Sequence, residues 1–100
     1  MLRHVLLLQL KPGISSEDVA GFDRAFRAML AEIPAVAGAQ VGPALGLPGS
    51  SGVPADYAAT LDFRTAEDFQ AYIGDPHHRR FVQEILAPLR QAAYSAQIEL

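Results

Sequence analysis

Residues 4–10, His-Val-Leu-Leu-Leu-Gln-Leu, form an almost unbroken apolar run that stops at Lys11-Pro12-Gly13. A run this short, closed by a proline and a glycine, reads as a strand buried on both faces, because a one-sided strand would alternate apolar with polar residues. His4, Leu6, Leu8 and Leu10 share one face, and Val5, Leu7 and Gln9 share the other. Whatever fold the chain adopts must cover both faces of this segment.

The next segment changes period. Ser15 and Ser16 precede Glu17 and Asp18, a hydroxyl cap with acids in the first turn. Val19, Phe22, Phe26, Met29, Leu30 and Ile33 then recur three and four apart until Pro34, which predicts a helix over 16–33 with one apolar stripe. Residues 37–45 predict a weak strand, and Pro43, which cannot donate to a ladder, places it at a sheet edge. The Gly-, Pro- and Ser-rich residues 46–54 are a loop, either a mobile hairpin connection or a lid or dimer contact.

Residues 56–63 predict a third strand, with Tyr57, Ala59, Leu61 and Phe63 opposite Ala58, Thr60 and Asp62. Thr65 caps a helix carrying Phe69, Tyr72 and Ile73, Gly74-Asp75 breaks it, and Pro76 starts a second helix carrying Phe81, Val82, Ile85, Leu86 and Leu89. Residues 92–100 alternate as a last strand.

The order strand, helix, two strands, helix pair, strand is the βαββαβ arrangement of a ferredoxin-like α+β sandwich, one domain over residues 1–100. The four-stranded antiparallel sheet carries its helices on one face only. Val5, Leu7, Gln9, Ala58 and Thr60 then lie on a second, uncovered face, and an apolar patch of that kind is normally covered. The expected cover is a second copy of the chain, the two sheets meeting face to face as a β-barrel.

Composition removes several classes of function. Half the residues are apolar and 19% are charged, as in a globular protein, and the net charge of -3 gives no footprint for nucleic acid. The absence of cysteine excludes disulfides, thiolate nucleophiles and Cys-based metal sites. No apolar run approaches the ~20 residues of a membrane span, and no signal-peptide cleavage pattern follows Arg3, so the expected location is the cytoplasm. Seven arginines against the single Lys11 point to a bacterial source.

Two of the three histidines lie in Tyr72-Ile73-Gly74-Asp75-Pro76-His77-His78. A helix break here turns Tyr72 and His78 toward one opening at the end of the sheet, where His4 also points. A helix start disfavours imidazolium, so His78 is expected to be neutral, as a general base requires, and a tyrosine hydroxyl can bind a carbonyl or enolate oxygen. A second reading stands beside this one: the same groups cap backbone atoms and satisfy one another in a polar corner of the core. His77 faces solvent. A metal site would draw on His4, His77 and His78, but adjacent histidines point apart and no acid has ligand spacing, so none is expected.

These residues, together with Arg3-His4-Val5-Leu6-Leu7, Ile33-Pro34-Ala35-Val36 and Asp56–Phe63, resemble the stress-responsive α/β-barrel family, often called Dabb. The resemblance spans nearly the whole chain, and its most specific element is Tyr72 followed by Pro76-any-His78. It implies a homodimer with a small apolar pocket, no cofactor, and similarity to the polyketide cyclases of the olivetolic acid cyclase type. By that resemblance His78 would be the base, Tyr72 the orienting group and His4 a pocket residue. Leu6, Leu8, Phe22, Phe26, Leu61 and Ile73 would be the apolar walls around a small apolar or polyketide-like ligand. A cofactor-free monooxygenase of the antibiotic-biosynthesis type is the alternative enzyme, and a non-catalytic stress or ligand-binding protein the alternative to enzymes altogether.

Overall fold

In the computed structural model, which describes residues 1–100, the apolar run becomes β1 (Leu2–Leu10). It is followed by α1 (Ser16–Ala31), β2 (Gly38–Pro43), β3 (Tyr57–Phe63), α2 (Ala66–Gly74), α3 (Pro76–Phe81) and β4 (Arg90–Glu99). The sheet order is β2-β3-β1-β4, all antiparallel, with β1 and β3 central and β2 at an edge.

Local chemistry sets the helix ends. Ser15 Oγ accepts from the Asp18 N–H while the Asp18 carboxylate accepts from the Ser15 N–H, a reciprocal capping box that starts α1. The helix ends at Ala31, two residues short of the expected 33, and Ile33 is buried from the turn that follows. Thr65 caps α2 through the Asp68 N–H. Beyond α3 the chain widens into a π-helical turn, Val82–Leu86, before a last helical turn, Ala87–Leu89. Pro88 explains the widening: it has no N–H for the carbonyl four residues back, and the Ala87 N–H reaches five residues back to Val82 instead.

The core lies between the sheet and the helices. Leu8, Phe22, Phe26, Tyr57, Leu61 and Phe63 are at its centre, with Phe26 stacked on Phe81 at a ring separation of 5.2 Å. One buried polar contact ties α1 to the sheet. The Tyr57 hydroxyl donates to Asp23 Oδ1 at 2.6 Å, Arg27 Nε donates to the other carboxylate oxygen at 3.0 Å, and Arg27 Nη2 donates to the Val41 carbonyl at 2.6 Å.

The register defines two faces row by row. Toward the helices, Ala39, Leu61, His4 and Gln97 stand in one row across the four strands. Away from them stand the rows Gly42-Ala58-Leu7-Tyr94, Gln40-Thr60-Val5-Ala96 and Gly38-Asp62-Arg3-Ile98. Arg3 and Asp62 form a two-bond ion pair on that face, at 2.7 and 3.0 Å. No helix covers it, and Val5, Leu7, Gln9, Ala58 and Thr60 are only half-buried there.

The Arg27 guanidinium and the Tyr57 hydroxyl hold the Asp23 carboxyl below the usual carboxylate range, and Arg3 does the same for Asp62. A carboxylate whose folded-state pKa is depressed stabilises the fold above its unfolded value and loses that contribution as pH falls through the folded value. These two carboxylates should therefore leave the urea midpoint unchanged from neutrality to about pH 5 and lower it below about pH 4. Tyr57→Phe should cost about 1–2 kcal/mol at pH 7 by urea denaturation, since it removes a buried hydrogen bond to a charged group. An unchanged midpoint would show that the contact is energetically idle.

Candidate active site

Pro76 is where the site originates. In an unbroken helix the Ile73 carbonyl would accept the N–H of residue 77. Asp75, held extended ahead of Pro76, takes that N–H with its own carboxylate at 2.8 Å, capping α3. The Ile73 carbonyl is left free, and His78 Nδ1 fills the place at 3.2 Å. A carbonyl only accepts, so His78 carries its proton on Nδ1 and its Nε2 lone pair is free.

Tyr72 lies against that ring, with centroids 4.5 Å apart and planes tilted by 53°. The tyrosine is 3% exposed, and burial alone pushes its hydroxyl well above the usual phenol range. No fully buried side-chain nitrogen or oxygen lacks a partner, so the Tyr72 hydroxyl, which hydrogen-bonds nothing in the chain, opens onto solvent-accessible space. It remains a protonated donor throughout the neutral range.

His4, on the helix-facing side of β1, is 8% exposed and packs on Phe69 at a ring separation of 5.0 Å. Its Nδ1 accepts from Gln97 Nε2 at 2.9 Å, which puts the His4 proton on Nε2. Burial and then the neighbouring His78 charge lower its pKa. Burial also lowers that of His78, against smaller opposing effects of the Ile73 carbonyl and Asp75. The expected neutral His78 is thus a consequence of burial more than of a helix terminus.

The remaining expected residues divide. Leu6 is partly buried beside this corner. Leu8, Phe22, Phe26 and Leu61 fill the packed core, and none of the five principal cavities is lined by them or by His4, Tyr72 or His78. Ile73 is 40% exposed and turns outward, so its carbonyl, not its side chain, serves the site. Core periodicity marks these residues as buried but cannot say whether space is left between them. His77 is half-exposed and bonds Asp75 at 3.0 Å, pointing away from His78, and no three His, Asp or Glu side chains gather where they could hold a metal ion.

Sequence reasoning did not find Gln97, Phe69 as the neighbour of His4, or Asp75 as the cap that frees the Ile73 carbonyl. Only the Asp-Pro pair carried a readable signal, as an N-cap followed by a proline at the first helical position.

Beside the helices on one side of a β2-β3-β1-β4 sheet and the Tyr72/Pro76/His78 corner, the model of the stress responsive A/B barrel domain matches residues 2–99. The chain belongs to the Dabb family. A dimeric ferredoxin-like protein of unknown function from Thermobifida fusca is 27% identical, with a TM-score of 0.85 over 99% of this chain and 90% of that one. A Dabb family protein from Mesorhizobium loti is 17% identical, with a TM-score of 0.85 over 99% and 95% of the two chains. A hydroxynitrile lyase from Passiflora edulis is 16% identical, with a TM-score of 0.81 over 99% and 92%. The last two likenesses establish the fold alone. No curated protein matches significantly. No helix is long and apolar enough to cross a membrane.

Because burial of His4 and partial burial of His78 disfavour their charged forms, the unfolded chain binds protons that the folded one refuses. Stability should fall as pH drops below the ordinary imidazole value of about 6.5, until the depressed folded-state values are passed. Nitrogen NMR at pH 7 should show His78 neutral with its proton on Nδ1 and His4 neutral with its proton on Nε2. A charged His78, or one protonated on Nε2, would remove the free lone pair on which the site depends.

Proposed function

We propose that this Dabb protein is a homodimer that binds a small apolar carbonyl compound, polyketide-like in chemistry, at the His4–Tyr72–His78 corner, and moves a proton at the carbon beside the carbonyl. The observation that carries this reading is the Nδ1 hydrogen bond from His78 to the Ile73 carbonyl, which leaves Nε2 as a fixed, unoccupied base beside an unoccupied hydroxyl. A corner built only to satisfy its own polar groups would use both.

The ligand approaches from the β4 side. Helices cover β1 to β3 but leave the helix-facing residues Ser95 and Gln97 exposed, and Leu6 supplies an apolar wall. His78 Nε2 removes the proton, the electron pair of the C–H bond moves into the carbonyl, and the developing enolate oxygen accepts from the Tyr72 hydroxyl. The His4 Nε2–H is a second donor for a second carbonyl. Attack of the enolate carbon on that carbonyl forms the new bond, and the proton held by His78 passes to the resulting alkoxide, so the product is an isomer of the ligand. The dimeric relative and the uncovered sheet face support the homodimer. The Passiflora edulis protein, named a hydroxynitrile lyase, supports the capacity of this fold for chemistry on small molecules.

The test uses acetophenone in D2O, with loss of the methyl proton signal followed by NMR. The protein should accelerate exchange, His78→Ala should slow it by about 10²–10⁴-fold, and Tyr72→Phe by roughly tenfold or more, with circular dichroism confirming both folds. Equal rates in the wild type and His78→Ala, or no acceleration at all, would overturn the base role.

A further inference from the structure

Two glycines on the edge strand β2 have no explanation inside the protomer. Gly38 and Gly42 are absent from the positive-φ positions of the chain. A Cβ on Gly42 would meet only Arg27 Nη2 at 3.9 Å, and one on Gly38 only the Asp62 side chain at 3.7 Å, both ordinary contacts. A glycine within a strand forgoes side-chain packing and marks a place where something approaches closely. No atom of the same chain makes such an approach.

Both glycines face away from the helices, in the rows that end on Tyr94 and Ile98 of β4. Those two side chains are 46% and 52% exposed. The uncovered face is therefore divided into a raised half, Leu7, Val5, Tyr94 and Ile98 on β1 and β4, and a recessed half, Gly38, Gly42, Ala58 and Thr60 on β2 and β3. Two sheets packed face to face keep their strands within about 30° of one another, so rows on one sheet stay near rows on the other.

A two-fold axis parallel to the strands lays β4 of one protomer over β2 of its partner and keeps the rows level. Tyr94 then meets Gly42, Ile98 meets Gly38, Ala96 meets Gln40, and Leu7 meets Ala58, and each contact occurs twice, as an isologous interface requires. A two-fold axis across the strands would lay β4 on β4, press the raised halves together and leave glycine facing glycine. The loop between β2 and β3 borders this face. Its residues line, with Leu7 and Ala58, a cavity of about 410 Å³ that lies one and two strands in from Gly42 in the same row. Four strands about 4.8 Å apart and about eight residues long present a projected area of roughly 500 Å², and the side chains standing on it raise the accessible area toward the roughly 800 Å² per partner of a stable interface.

We propose that the dimer is keyed by size, with Tyr94 of each protomer seated over Gly42 of the other, and Ile98 over Gly38. This rests on the homodimer reading of the preceding section. The chain has no cysteine, so engineered pairs report contact directly. Gly42→Cys combined with Tyr94→Cys should give a covalent dimer with a thiol-reactive crosslinker just long enough to span the ~10 Å between packed sheets, whereas Gly42→Cys combined with Ile98→Cys, set four residues further along the strands, should not. Gly42→Phe, its fold checked by circular dichroism, should raise the dimer dissociation constant by about tenfold or more. A dimer by light scattering that cross-links through 42 and 98, or not at all, overturns the keyed arrangement and leaves the homodimer standing. A monomer by light scattering overturns both.

Discussion

Strand β1 must lose water from both faces, and the helices of this fold can cover only one. Its even-numbered residues, His4 to Leu10, point into the helical layer and anchor the core. Its odd-numbered residues, Arg3 to Gln9, share the other face with β3 and β4. Covering an apolar side chain is worth about 25 cal/mol per Å² buried, and leaving Val5 and Leu7 with Tyr94 and Ile98 half in water forgoes that gain along most of the sheet. The protomer is therefore a structure with one finished side. The demand for a partner arises in its central strand and not in an accessory surface.

The same strand positions the proposed site. His4 is the first buried residue of β1 on the helical face, near the end of the sheet where α2 gives way to α3. What makes that junction useful is backbone arithmetic. Pro76 brings no N–H, Asp75 consumes the N–H of His77, and the carbonyl of Ile73 is released to fix the ring of His78. A half-buried imidazole with one nitrogen committed and the other open is a consequence of where a helix was interrupted. Tyr72, six residues before His78 and across the helix break, meets the same ring where α3 packs against the end of α2.

Much of this was legible from the chain itself. Alternation in β3, the three-and-four spacing in α1, and the Gly-Asp-Pro break are local patterns, and local patterns determine element order and topology. The failures are equally physical. Ile73 is apolar and adjacent to Tyr72, which suggests a wall, yet one residue along a helix is a rotation of about 100° and carries the side chain to solvent. Phe22, Phe26 and Leu61 were readable as buried, but a packed core and a lined pocket have the same periodicity. Gln97 could not be read at all, because it reaches His4 across 93 positions through strand register. The π-helical turn was latent in Pro88, whose missing N–H acts one turn upstream of the residue itself.

Register also joins the two halves of the molecule. Gln97, which sets the proton of His4, belongs to β4, an edge strand bonded to β1 alone within the protomer and not covered by any helix. In a dimer keyed by Tyr94 and Ile98, β4 gains a second support, since the residues on either side of Gln97, Ala96 and Ile98, would be seated on the partner's β2. An edge strand so held loses freedom to fray, and the Gln97 amide is presented to His4 with less conformational entropy to surrender. The face that needs a partner and the corner that holds the base are thus opposite sides of one strand, so assembly would stiffen the site through β4 without the partner touching any catalytic atom.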